Sequence, residues 1–222
     1  MEMALTTMTK STSRPTLKEY QGKRNFAVTT EPSGSSKARP ASKSDLLYVI
    51  QKHQASHLHY DFRLEWRGVL LSWAVPKGPS LDPSVKRLAT QVEDHPVDYG
   101  GFEGIIPEGQ YGGGTVMLWD RGAWTPEVPD VDAALREGNL KFSLAGKKLR
   151  GSWVLVRTKS GLGGSKRPTW LLIKHRDRFA SSDDVVAKQP RSVASKRLLA
   201  DIARDSHGNV VKAAKGDLVV AR

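Results

Sequence analysis

Between Leu46 and about Phe179 the chain reads as short apolar or alternating runs broken by glycine and proline, and outside that stretch the pattern lapses. Eight runs stand out: LLYVIQKH, HLHYDFRLEW, VLLSWAVP, LATQVEDH, GTVMLWD, KFSLAG, GSWVLVRT and TWLLIKH. Alternation with a period of two sends successive side chains to opposite faces of a strand, so each run predicts a strand. Some eight strands at close spacing predict a mainly β domain over 46–179, a barrel or sandwich. Asp132–Glu137 predicts a short helix ending near Gly138, and Lys159–Pro168 a Gly/Ser/Lys loop. Residues 1–45, rich in Ser, Thr, Lys, Arg and Pro, predict a partly flexible arm able to close over a site. Residues 180–222 turn polar and basic, predicting a flexible tail with one amphipathic helix candidate, Val193–Arg204.

Composition narrows the class. Within 222 residues, 35 Lys+Arg against 23 Asp+Glu leave a net charge of +12, which favours a polyanionic partner, nucleic acid before a membrane surface. No apolar run approaches the ~20 residues that span a bilayer, and the first residues lack the apolar segment of a signal peptide. The expectation is a cytoplasmic, nucleoid-associated monomer. The absence of cysteine removes disulfides, thiolate nucleophiles and Cys-ligated zinc, leaving histidine and carboxylate as the strong metal ligands.

The richest stretch for chemistry is His57-Leu58-His59-Tyr60-Asp61-Phe62-Arg63-Leu64. On a strand, His57, His59, Asp61 and Arg63 line one face while Leu58, Tyr60, Phe62 and Leu64 line the other. Two imidazoles, a carboxylate and a guanidinium make a poor solvated surface, and a divalent metal beside a phosphate accounts for all four. The preceding run places Gln51 and His53 on one face, and a hairpin through Gln54-Ala55-Ser56 would bring His53 beside His59 and Asp61. Such a set leaves coordination positions open for water or substrate, and hard oxygen substrates favour manganese or zinc, with cobalt or similar ions possible. In QVEDHP, Glu93 and His95 share a face, followed by Tyr99; alternatively they form a salt-bridged strand end. Lys77 and Arg87 could add positive charge for phosphoryl oxygens, though solvent-facing cations are commoner. The run Gly109-Gln110-Tyr111-Gly112-Gly113-Gly114 leads into a strand rather than a helix, so it predicts a tight turn rather than a nucleotide loop. The six tryptophans sit mostly beside aliphatics, as in LSW and SWV, and predict core packing rather than base stacking.

QKHQASHLHYDFRLEW, LLSWAVPKGPSLDPSVKRLA, VEDHPVDYGGFEGIIPEGQYGGGTVMLWDRGAW, LAGKKLRGSWVLVRT and WLLIKHRD cover most of residues 46–178. In these long, ordered motifs the chain resembles the phosphoesterase domain of bacterial ATP-dependent DNA ligase D, which also occurs as a stand-alone 3′-phosphoesterase. The resemblance implies a compact closed β-barrel with helical trimmings. It also implies a metal-dependent activity that removes a 3′-terminal ribonucleoside and then a 3′-phosphate, leaving a ligatable 3′-OH in double-strand break repair. Carried over by motif, His53, His59 and Asp61 are implied as metal ligands, and Arg63 and His95 as phosphate-contacting residues. Gln51, Lys77, Arg87, Glu93 and Tyr99 are implied in the surrounding shell, with His57 in support. The family's arm often carries Arg-Asp-Phe and then Glu-Pro; here the run is Arg24-Asn25-Phe26 followed by Glu31-Pro32. Arg24 and Glu31 are therefore implied contributors, whereas Asn25 replaces a carboxylate with an amide that carries no charge. DNA is the implied substrate, with a separate ligase D and a Ku-type end-binding protein as implied partners. A non-catalytic module that binds DNA ends and recruits a ligase, or a phosphodiesterase for small nucleotides, remains the alternative.

Overall fold

The computed structural model describes residues 16–34, 46–159 and 167–217. Each of the eight runs forms a strand: β1 Leu47–Gln54, β2 Leu58–Trp66, β3 Val69–Val75, β4 Lys86–Gln91, β7 Gly114–Pro126, β8 Asn139–Gly146, β9 Arg150–Arg157 and β10 Thr169–Lys174. Two short strands, β5 His95–Pro96 and β6 Gly104–Ile106, pair with β3 and β7. Neighbours run β1-β2-β3-β4-β10-β9-β8-β7, all antiparallel, and β7 returns to pair with β1, closing an eight-stranded barrel. Closure leaves the barrel sheet without an unpaired edge. Long β7 serves two neighbours, β1 through 115–123 and β8 through 122–126. Gly122 lies where the two partners meet, and a Cβ there would stand 2.1 Å from the Ala145 carbonyl oxygen.

Interior positions from all eight barrel strands form one core, including Tyr48, Ile50, Phe62, Trp73, Trp119, Phe142, Leu155 and Trp170. Five of the six tryptophans are fully buried, and Trp66 packs on the ring of Trp124. The register is fixed by the alternation, since a slip of one residue would put this apolar set on the outer face. Asp120, fully buried, accepts hydrogen bonds from Tyr48 Oη (2.8 Å) and the backbone N–H of Lys147, Lys148 and Leu149 (3.0, 3.0 and 2.8 Å). One carboxylate thus holds the β8–β9 turn against β1.

Helix α2, Val131–Glu137, starts where the Asp130 carboxylate accepts the Ala133 N–H at 3.0 Å and stops at Gly138 in the left-handed region. The Lys159–Pro168 loop falls largely outside the described residues.

The C-terminal expectation needs correction. Of Val193–Arg204 only the end is helical, within Leu199–Asp205, because Ser192 folds the preceding residues into a turn through its Oγ contacts to Ala194 and Ser195 N–H. Helices also form at Val185–Lys188 and Val210–Asp217. Val185, Val186, Leu199, Ile202, Ala203 and Ala213 are buried with the barrel core, so residues 185–217 pack as part of the domain rather than as a flexible tail. Small apolar residues scattered among Lys and Arg hid this docking face.

Candidate active site

The outward-facing side of β1, β2 and β3 carries the chemistry. The β1–β2 register sets His53 opposite His59, Gln51 opposite Asp61 and Val49 opposite Arg63. The sequence-predicted hairpin therefore brings His53, His59 and Asp61 together, with imidazole centroids 4.7 Å apart. One Asp61 oxygen lies 3.6 Å from His53 Nδ1, 3.7 Å from His59 Nε2 and 3.3 Å from Arg63 Nη2. Candidate ligand atoms of the three residues all fall within 4.8 Å of one another, the one such group among the described residues.

Each histidine's other nitrogen is already committed. His53 Nε2 donates to the Gly112 carbonyl at 2.8 Å, and His59 Nδ1 to the His57 carbonyl at 3.0 Å. These bonds fix both tautomers, leaving His53 Nδ1 and His59 Nε2 as lone pairs aimed toward an ionised carboxylate. Three electron-rich atoms facing one another fit a cation. Burial disfavours the charge on Asp61, yet the Arg63 guanidinium beside it outweighs this and holds the carboxyl far below the usual range. For His53, burial dominates and lowers its pKa, keeping the ring neutral as ligation requires. His57 itself is exposed, at the turn before β2, and contributes through its backbone carbonyl rather than its ring.

Beside this triad, Arg63 is 2 % exposed and gripped on three sides. Its Nε donates to Gln51 Oε1 (2.8 Å), its Nη1 to Ser72 Oγ (2.8 Å), and its guanidinium carbon lies 4.9 Å from the Tyr99 ring centre. Gln51 is itself tied by its amide N–H groups to the carbonyls of Tyr99 and Phe102. His95 stands between the rings of Tyr20 and Tyr99, at 4.9 and 4.8 Å. Its Nδ1 donates to the Glu93 carbonyl at 2.8 Å, while Nε2 faces Arg24 Nη2 at 3.3 Å. Burial first, then Arg63 and Arg24, push the His95 pKa well below its ordinary value, so the ring is neutral.

The arm supplies the remaining wall. Tyr20 lies in helix α1, Lys18–Gly22, and its hydroxyl donates to the Pro32 carbonyl at 2.6 Å. Arg24 donates from Nε to Glu31 (2.9 Å) and approaches Glu93 at 3.5 Å. Lys23 and Arg167, neither singled out in the sequence, also reach Glu93, at 3.1 and 3.4 Å. Asn25 points away from this chemistry: its Oδ1 accepts the Ala27 N–H at 3.1 Å and shapes the arm's turn. The enclosed hollow of about 270 Å³ is lined by His53, His59, Asp61, Arg63, His95 and Tyr111, with Arg24, Glu93 and Tyr99. Lys77 is exposed and Arg87, paired with Leu172 of β10, is half-buried, and neither lines it. A larger hollow of about 730 Å³ between β6 and residues 206–212 carries Glu103 and Glu108 and no arginine, a setting less suited to phosphate. Ser72 was legible as the polar position in VLLSWAV; Lys23, Arg167 and Tyr111 left no periodic signal.

Fold and site together define a closed β-barrel bearing a largely buried His–His–Asp group that could hold a cation, beside a neutral histidine and a caged arginine. Residues 51–157 match the family described as DNA Ligase D 3′-phosphoesterase domain, and this part of the chain belongs to that family. The multifunctional non-homologous end joining protein LigD of Pseudomonas aeruginosa is 56% identical over 190 residues, 84% of this chain and 22% of that protein. The multifunctional non-homologous end joining DNA repair protein LigD of Mycobacterium tuberculosis is 42% identical over 142 residues, 64% of this chain and 18% of that protein. The chain thus spans about a fifth of the length of these curated relatives.

Proposed function

We propose that this protein heals DNA 3′ ends in non-homologous end joining, as a metal-dependent phosphoesterase that removes 3′-terminal ribonucleosides and 3′-phosphates to leave a 3′-OH. The observation that carries the reading is the convergence, on one hollow, of the His53–His59–Asp61 cradle with Arg63 and His95. Two histidines and a carboxylate without sulfur suit manganese, with zinc or cobalt as alternatives. When bound there, a divalent cation contributes Lewis acidity toward a phosphoryl oxygen.

The chain's own residues do the rest. Arg63, already fixed by Gln51 and Ser72, presents its remaining N–H to phosphoryl oxygens without reorganising. Arg24, anchored by Glu31, brings a second positive charge to the same hollow. A bound phosphate's negative charge offsets the two arginines that depress His95, allowing Nε2 to hold a proton for the oxygen that departs as water attacks phosphorus, the ribonucleoside's 5′ oxygen in the first step and the 3′ oxygen in the second. Glu93 keeps Lys23, Arg24 and Arg167 gathered at the rim. Tyr99 supports Arg63 by its ring and Gln51 by its carbonyl. DNA is held through its backbone by surface cations, without base readout. The sealing step falls to a ligase D and the gathering of ends to a Ku-type protein.

The test is a labelled primer-template ending in a 3′-phosphate or a single 3′-ribonucleotide, incubated with manganese, zinc or chelator, with His59→Ala as control. Metal-dependent conversion to a 3′-OH, lost in the variant, is the expected result. DNA binding with no conversion would replace this reading by one of end recognition and ligase recruitment. Conversion confined to free nucleotides would identify a small-nucleotide phosphodiesterase.

A further inference from the structure

Tyr111 is the one strongly exposed aromatic side chain among the described residues, 48% accessible, and it lines the hollow that holds the cation cradle. The tryptophans are committed to the core or packed on it, and Tyr20 and Tyr99 are buried around His95. No core contact accounts for Tyr111's position, yet the loop beneath it is built tightly. Gln110 N–H donates to the Pro107 carbonyl (3.1 Å) and Gly113 N–H to the Gln110 carbonyl (3.0 Å). Gly109 and Gly112 adopt φ of +84° and +79°, a conformation that disfavours side chains. The Gly112 carbonyl is the acceptor for His53 Nε2. The ring is therefore presented by the residue next to the one that fastens a cradle histidine, so ring and reacting centre are held in a fixed relation.

We infer that Tyr111 is the platform on which the nucleobase of the 3′-terminal nucleotide stacks while its phosphate occupies the hollow. This inference rests on the phosphoesterase reading and adds the recognition element that reading lacks. Every base has a π face, so a stacking platform grips any terminal nucleotide without reading its sequence, as end repair requires. Lys23 Nζ lies 4.7 Å from the ring centre and Arg24 Cζ 5.8 Å, which sets positive charge beside the platform for the nucleotide's phosphate. The rival role for the ring, holding Lys23 by a cation–π contact, concerns the arm alone and is blind to whether a base is present.

A primer-template carrying 2-aminopurine as its 3′-phosphorylated terminal nucleotide separates the two. In chelator, where no turnover intervenes, the wild type and Tyr111→Phe quench the fluorophore on binding and Tyr111→Ala does not. With metal, Tyr111→Ala raises KM about tenfold on base-bearing ends, the loss expected for one stack, and no further on an abasic end than the wild type. Undiminished quenching in Tyr111→Ala, absence of quenching in the wild type, or an equal KM penalty on abasic and base-bearing ends would overturn the inference. Quenching that depends on the ring, in a wild type that converts no end, would instead refute the phosphoesterase reading and leave the platform standing.

Discussion

Replacing Gln51 by leucine, which keeps most of the volume and none of the polarity, separates the grip on Arg63 from the cation cradle. Gln51 is fully buried and makes three hydrogen bonds, accepting from Arg63 Nε at 2.8 Å and donating to the Tyr99 and Phe102 carbonyls at 3.0 and 2.9 Å. Stranding a charged donor costs about 2 kcal/mol and two carbonyls about 1 kcal/mol between them once partial rescue by solvent is allowed, for a total of about 3 kcal/mol. Against a typical stability of about 5–15 kcal/mol the variant still folds. Arg63 keeps Ser72 and Asp61, but the loss of one of its anchors lets it drift, and a misplacement of about 1 Å costs on the order of a hundredfold in rate. Urea unfolding should show a lower midpoint at unchanged slope, and kcat/KM on a 3′-phosphate end should fall by ten- to a hundredfold. Cation-induced stabilisation should survive, because no hydrogen bond of Gln51 reaches the two histidines or Asp61. Full kcat/KM accompanied by the predicted loss of stability would refute Gln51 as the residue that positions Arg63.

Manganese or zinc should raise the melting temperature, by an amount equivalent to about 2.7 kcal/mol at a hundred times Kd, and His53→Ala or Asp61→Ala should abolish the shift in calorimetry. Asp120→Ala should cost on the order of 4 kcal/mol, since it orphans Tyr48 Oη and three turn N–H groups; denaturant unfolding at wild-type stability would contradict that. Asp94 is pushed up to about 6 by burial and by Glu19 and Glu93. A folded pKa above the unfolded one means its contribution is present below about pH 4 and lost as pH rises through about 6, roughly 3 kcal/mol in all. Asp94→Asn should therefore flatten the stability profile over that window, and an unchanged profile would rule the group out.

The strands and the grouping of His53, His59 and Asp61 were legible because both rest on the same period of two. Tyr48, Ile50, Tyr60 and Phe62 mark the inner face, and the residues between them mark the outer one, so hairpin register followed from alternation alone. Closure by β7 onto β1 left no local trace; it depends on one long strand that serves two neighbours, with a register shift at Trp119, and family resemblance rather than periodicity favoured a barrel over a sandwich. Lys77 and Arg87, singled out for charge and by resemblance, do not line the hollow, and charge alone does not specify direction. A C-terminal helix was expected and Leu199–Asp205 overlaps it, but the docking of this region on the barrel was missed because its few buried apolar residues are scattered among Lys and Arg. Lys23, Arg167 and Tyr111 act through distant contacts that no window of sequence contains.

The β1–β2 hairpin also bears on the order of assembly. His53, His59 and Asp61 sit on adjacent strands joined by a short turn, whereas His95, Arg24 and the β7 partner of β1 come from far along the chain. Loop-closure entropy makes the first contacts cheap to form and the others slow. The His53–His59–Asp61 group is thus a low-contact-order element expected to assemble early, save for the Gly112 carbonyl that fastens His53, while the Arg24 and His95 side of the hollow needs the distant segments in place. If so, a divalent cation should speed refolding in stopped-flow measurements, whereas substitutions at Arg24 or His95 should act mainly on unfolding. On the proposed reading, cation binding and phosphate contact, which share one hollow in the finished protein, would draw on contacts made at different moments of its folding.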